Sequence, residues 1–374
     1  MKNLLRMRSP VSIPLLLIVV STMRLSAAEQ MPFREEQGVR WYDARSLDVE
    51  GRGFTDVKEF YDRLPARAEQ TVRDAVWGLS RNSSGLCVRF RAATPALSVR
   101  WKLRSPTLAL PHMAATGVSG VDLYGKTDDG AWRWIAVGKP AGLETTQKLA
   151  GELDRAPREY RVYLPLYNGV TSVEIGVPAD AAVERSTDPA LRKKPVVFYG
   201  TSIMQGACAS RTGMAQSSIL GRRLNVPVIN LGFSGNGRME PEVAALLAEL
   251  DPAAYVVDCL PNMDAAAVRQ NAEALVRTLR KARPSTPIVL VEDRTYADAH
   301  WSPSRRERNL TSRREFRAVY DRLVRDGVEG LTYVAGDPLL RDDGEDTVDG
   351  SHPTDLGFMR YADVLAPVLE PLLK

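Results

Sequence analysis

Near residue 195 the hydrophobic rhythm of the chain changes, and no other feature constrains the fold as much. Upstream the period is two. In "LSVRWKL", Leu97, Val99, Trp101 and Leu103 alternate with Ser98, Arg100 and Lys102, and "LCVRFRA", "WRWIAV", "YRVYLPL" and "SVEIGV" repeat the pattern. Such segments place one face against a core and the other toward water, and many of them separated by Gly, Pro and Asp turns predict an antiparallel β-sandwich. A short helix is expected around "ARAEQTVRDAVWGL". Downstream, "PVVFYG", "VPVINLGF", "AAYVVDCL", "PIVLVED" and "LTYVAG" are short, nearly continuous apolar runs, as strands covered on both faces require. Helical stretches lie between them. The clearest, residues 265–282, puts Val268, Ala272, Leu275, Val276 and Leu279 on one side. This alternation predicts an α/β half with a parallel sheet. The stretch between the halves, residues 181–194, reads as a linker.

The chain has 374 residues, enough for two cores, and 44% hydrophobic with 26% charged residues fits a globular protein. A net charge of +4 is spread along the sequence and argues against nucleic-acid binding. Residues 1–28 read as a signal peptide. Lys2, Arg6 and Arg8 precede an apolar run interrupted by Pro14, and Ser26 and Ala28 offer a cleavage site, so export to the periplasm or medium is expected. That run is shorter than the ~20 residues of a membrane span. Cys87, Cys208 and Cys259 match no zinc spacing, and Cys208 with Cys259 is the one pairing worth testing.

In a parallel sheet, the residues after each strand gather along one edge, where ligands bind. Ser202 follows the first run, Gly232 the second ("NLGFSGNG") and Asn262 the third ("PNM"). "DGSHPTD" brings Asp349 and His352 before the last helix. Those types suffice for acyl transfer: a serine nucleophile, a histidine base and an aspartate that orients it. The backbone N–H groups of Ser202 and Gly232 and the amide of Asn262 are the candidate oxyanion donors.

"YGTSI", "NLGFSGNG", "PNM" and "DGSHPTD", in this order, resemble the four blocks of the SGNH, or GDSL, hydrolases. The resemblance carries Ser, Gly, Asn and His onto Ser202, Gly232, Asn262 and His352, with Asp349 as the acid. Thr201 departs from the Gly-Asp-Ser form of the first block. "GVDLYGK", from Gly120, is similar to the Gly-x-Asp-Leu-Tyr marker of a β-domain preceding the catalytic domain in one bacterial branch. The resemblance implies a jelly-roll-like sandwich over residues 29–180 and a flavodoxin-like hydrolase domain with a five-stranded parallel sheet over residues 195–374. It also implies removal of short acyl groups, notably acetyl, from carbohydrates, without metal or cofactor.

The same residues admit a lysophospholipase, a thioesterase or an O-acyltransferase, and a glycan-binding protein without catalysis is the rival of another class. Tyr296, His300 and Trp301, after the fourth run, are candidates to line the substrate pocket.

Overall fold

Alternation of inward and outward side chains produces eleven strands in the front half. They are β1 (Arg34–Glu36), β2 (Val39–Asp43), β3 (Asp48–Glu50), β4 (Cys87–Ala92), β5 (Leu97–Leu103), β6 (Val121–Lys126), β7 (Trp132–Gly138), β8 (Glu144–Ala150), β9 (Arg158–Tyr163), β10 (Val170–Pro178) and β11 (Val183–Arg185). The computed structural model describes residues 31–373, so the expected signal peptide and its cleavage site lie outside the described residues. Two antiparallel sheets face each other, ordered β1-β2-β10-β5-β8 and β11-β4-β9-β6-β7, with β3 beside β4. In β5 the alternation is as the sequence predicts: Leu97, Val99, Trp101 and Leu103 are buried.

In β4 it is not. Arg89 should face water, yet it is fully buried, because Glu50 and Asp188 both pair with its guanidinium, at 3.1 and 2.7 Å. Asp188 comes from the expected linker, and the same stretch forms β11, which pairs with β4. Residues 181–194 are therefore part of the sandwich's outer face rather than a free tether. The expected helix near residue 70 is also divided, into a 3-10 turn at Ala66–Gln70 and helix α1 at Asp74–Ser80.

The back half has β12 (Val196–Gly200), β13 (Val228–Gly232), β14 (Ala254–Asp258), β15 (Ile288–Val291) and β16 (Leu331–Val334), all parallel and ordered β13-β12-β14-β15-β16. One-turn helices α2 (Ala115–Val118) and α3 (Ser202–Gln205) are joined by α4 (Gln216–Leu224), α5 (Pro241–Glu249), α6 (Ala265–Ala282), α7 (Pro303–Arg325) and α8 (Asp355–Leu369). Side chains of α4 and α8 cover one face of the sheet, and those of α5, α6 and α7 the other. No helix among the described residues is long and apolar enough to cross a membrane.

The two halves share a core. Phe54, Leu64, Val72, Val76 and Trp77 pack into the same cluster as Ile229, Leu231 and Leu247. At about 1.5–3 kcal/mol for each large apolar side chain, these five contribute on the order of 10 kcal/mol, comparable to the net stability of a whole domain. Residues 31–373 accordingly form one compact unit. Arg63 adds a polar clamp. From the front half it donates to the carbonyls of Asn230 (3.0 Å) and Gly232 (2.9 Å), satisfying the outer edge of β13.

Candidate active site

Strand β12 ends at Gly200, where a Cβ would lie 2.5 Å from the Asp258 carbonyl of its neighbour. The chain then turns sharply. Thr201 caps α3 through its hydroxyl, which accepts from Ile203 N–H, and Ser202 begins the helix with its side chain at the sheet edge. Gly206, at φ +102°, ends α3 after a single turn.

The loop before α8 brings the base to this point. His352 Nε2 lies 2.8 Å from Ser202 Oγ, and His352 Nδ1 lies 2.7 Å from Asp349 Oδ2. Asp349 Oδ1 also accepts from the backbone N–H groups of Ser351 (3.0 Å) and His352 (2.8 Å). Burial alone would push the Asp349 carboxyl up. The backbone and ring N–H groups of His352, with Ser351, outweigh it and hold the group below its ordinary range. From β15's end, Arg294 donates to the Ser351 carbonyl at 3.1 Å and so pins the loop. Ser202 is 7% exposed. The chain Ser202–His352–Asp349 has the spacing that lets an imidazole take a serine proton while a carboxylate stabilises the resulting charge.

The candidate oxyanion donors differ in whether they are free to bind. The Nδ2 of Asn262 is buried and has no hydrogen-bond partner among the described residues. The backbone N–H of Ser202 is likewise uncommitted among those residues. The expected third donor is not available: the N–H of Gly232 is taken by Asn230 Oδ1 at 2.8 Å, on the outer edge of β13 where Arg63 also binds. Gly232 serves packing instead, since a Cβ there would meet Gln205 N at 2.2 Å. The glycine that sequence reasoning missed is Gly235, three residues on. It sits at φ +68° with open space around its Cα, and its N–H has no partner among the described residues. Gln205 anchors this turn by accepting from Ser234 N–H at 2.9 Å. The signal in the sequence was the run of three glycines in "GFSGNG", of which the middle one lies on the turn rather than on the strand.

Two family models match the chain: one described as the GDSL-like lipase/acylhydrolase family over residues 193–370, and one described as the N-terminus of SGNH-hydrolase-type esterases over residues 39–183. A crystal structure from Bacteroides ovatus ATCC 8483, described as a GDSL-like lipase, is 34% identical. It covers 90% of this chain and 98% of its own, with a TM-score of 0.85. The chain belongs to the GDSL-like lipase/acylhydrolase family. Within that SGNH esterase fold, two further structures are similar at lower identity. A salicylyl-acyltransferase of a tetracycline biosynthetic pathway is 17% identical, covers 91% of this chain and 100% of its own, and has a TM-score of 0.70. A family two carbohydrate esterase from Cellvibrio japonicus is 14% identical, covers 90% and 98%, and has a TM-score of 0.57. No curated protein matches the chain.

The front half of this GDSL-family chain reaches the site directly. Tyr167 donates to the Ser202 carbonyl at 3.2 Å. The ring of His112 lies 5.8 Å from that of His352, centroid to centroid. Met113 and Val118 pack on Ala207 and Cys208 just after α3, with Leu110 and Tyr167 at the margin. The Asp-Leu-Tyr marker has a physical role here. Buried Asp122 accepts from Gly213 N–H (2.9 Å), Trp134 Nε1 (2.8 Å) and Arg211, and Tyr124 also bonds Arg211, so the sandwich holds the loop that follows α3.

Tyr296, His300 and Trp301 do not border Ser202. They line a separate cavity of about 610 Å³ with Arg306, Arg341 and Asp342, and none of Ser202, Asn262, Asp349 and His352 lines it. Ala297 N–H donates to the Gly350 carbonyl at 3.0 Å, which sets this segment behind the His352 loop. Cys208 and Cys259 do not pair. All three cysteines are free and buried.

Proposed function

We propose that this family member is an exported esterase that removes short acyl groups, acetyl foremost, from carbohydrate esters. The observation that carries the reading is the unbroken hydrogen-bonded path from Ser202 Oγ through His352 to Asp349. In the mechanism, His352 Nε2 removes the Ser202 proton as Oγ attacks the ester carbonyl. Negative charge develops on the carbonyl oxygen, and Ser202 N–H, Gly235 N–H and Asn262 Nδ2, each free of another partner among the described residues, are the donors assigned to it. Collapse of the tetrahedral species breaks the bond to the sugar oxygen, which takes the proton from His352 and leaves as a hydroxyl. Water, deprotonated by the same imidazole, then attacks the acyl-serine and releases the acid. Asp349 keeps its charge throughout and fixes which imidazole nitrogen faces Ser202.

The preference for a short acyl group rests on the small apolar patch after α3, where Ala207 and Cys208 meet Met113 and Val118. The carbohydrate part rests on the esterase family, on a fold shared with a carbohydrate esterase and on the expected export signal, which would bring the enzyme to polysaccharides. The test is acetate release from a panel of acetylated polysaccharides by the protein and by Ser202→Ala. Release by the unmodified protein alone is expected. Equal release by Ser202→Ala removes the nucleophile assignment. Transfer of acetyl to added sugar in place of acetate release makes the protein an acyltransferase, and glycan binding without turnover makes it a binding protein.

A further inference from the structure

A second set of side chains converges on His352 that acyl transfer does not use. His112 stands at the tip of a tight turn, where Leu110 and Met113 exchange backbone hydrogen bonds of 3.2 and 3.0 Å. Cys208 follows α3 in a left-handed conformation, φ +70°. A non-glycine residue held there costs about 1–2 kcal/mol, and its effect is to keep a thiol beside the catalytic loop. The ligating atoms of His112, Cys208 and His352 all lie within 4.8 Å of one another.

We propose that His112, Cys208 and His352 form a binding site for a thiophilic divalent cation, zinc above all, and that its occupation reversibly switches the enzyme off. Two imidazoles and one thiolate are a donor set that suits Zn2+ rather than Mg2+ or Ca2+, which take oxygen ligands. With Zn–N near 2.0–2.1 Å and Zn–S near 2.3 Å, tetrahedral donors sit about 3.3–3.6 Å apart. Each distance therefore needs to close by at most about 1.5 Å, which rotations of the His112, Cys208 and His352 side chains can supply. The fourth position is left for water.

On ligation Cys208 gives up its thiol proton to solvent and binds as thiolate, with no change of oxidation state. His352 has two ring nitrogens, and both are engaged, one with Ser202 and the other with Asp349. Whichever of them turns to the metal, one link of the proton path is broken. The three ligands come from both halves of the chain, so the site exists only where sandwich and hydrolase meet.

Loss of activity rests on the mechanism proposed above, whereas metal binding does not, and the experiment separates them. Co2+ serves as a spectroscopic stand-in for Zn2+. Titrating it into the protein should give a near-ultraviolet thiolate-to-cobalt band and visible bands of tetrahedral intensity at one equivalent, both abolished by Zn2+. Cys208→Ser should lose the charge-transfer band, and His112→Gln should weaken cobalt and zinc binding at least about tenfold. In parallel, the Zn2+ concentration that halves ester hydrolysis should rise at least about tenfold in each variant, relative to that variant's own rate without metal. Absence of the thiolate band in the unmodified protein overturns the site. So does equal inhibition of the unmodified protein and both variants, because the metal would then bind elsewhere. If no ester is hydrolysed at all, the cobalt titration still decides the site, and melting curves exclude misfolding of either variant.

Discussion

Replacing Asn262 by alanine should slow the enzyme and leave its fold at least as stable, a combination that tests the donor assignment sharply. In the resting protein the Nδ2 group is buried without a partner. A buried, unpaired donor costs about 1–3 kcal/mol. Removing the carboxamide relieves that cost and gives up little apolar contact, since the residue is only partly buried. The expected change in unfolding free energy thus runs from about zero to about 2 kcal/mol in favour of the variant. Catalysis should move the other way. Loss of one donor to the developing oxyanion lowers kcat about 10²–10³-fold, about 2.7–4 kcal/mol of transition-state stabilisation. The assay is hydrolysis of 4-nitrophenyl acetate, with urea unfolding of the same preparations. Asn262→Asp should lose at least as much turnover and also destabilise, because it buries a carboxylate facing where the oxyanion forms. Turnover of Asn262→Ala within threefold of the unmodified protein would refute the reasoning, as would a destabilisation above about 1 kcal/mol.

Two further outcomes follow from local geometry. Gly232→Ala should lose both stability and activity, because its Cβ would press on Gln205 N at 2.2 Å and displace α3. Gly235→Ala meets no atom and keeps its N–H, so it should cost only about 1 kcal/mol of stability for a left-handed alanine and retain most of the activity; the two variants' melting temperatures and rates check this contrast. Asp258, fully buried at the end of β14, has its carboxyl pushed up to about 7 by burial and by the charge of Asp293. Its folded value lies above the unfolded one, so its contribution to stability is complete below about pH 4 and is lost as pH rises through 7. The rise from 3.8 to about 7 is about three pH units, an upper bound on the order of 4 kcal/mol. Asp258→Asn should therefore lose less stability than the unmodified protein between pH 5 and 8 in urea titrations, and parallel curves would show that the carboxyl is ionised throughout.

Most of the catalytic half was legible because its chemistry sits at strand ends. Ser202 and Asn262 are polar residues placed just where apolar runs stop, the Asp349–His352 pair stands on the loop before the last helix, and a parallel sheet brings strand ends to one rim. Gly232 stood at a strand end too, yet its N–H is one of those that an edge strand turns away from the sheet, to Asn230 Oδ1, while that of Phe233 turns inward to Gly200. That β13 is the edge depends on the strand order, which no local pattern encodes. The outward face of β4 was misread for a related reason: Arg89 is kept from water by Glu50 and Asp188, partners 39 and 99 residues away. His112 and Tyr167 left no trace, because their nearness to Ser202 comes only from the packing of one half on the other.

The shared core between the halves bears on how such an enzyme can diversify. The groups proposed to make and break bonds lie within residues 202–352, but Met113 and Val118, which pack on Ala207 and Cys208 just after α3, and Tyr167, which bonds the Ser202 carbonyl, are encoded far upstream. Changes in the turn that carries His112 can therefore reshape what the enzyme accepts without altering a single catalytic group. Exchange of whole modules by recombination near residue 190 is a different matter. It would part Phe54, Leu64 and Trp77 from the sheet they cover. A lineage built on this plan can retune its specificity by single substitutions in the front half, but it inherits front and back together.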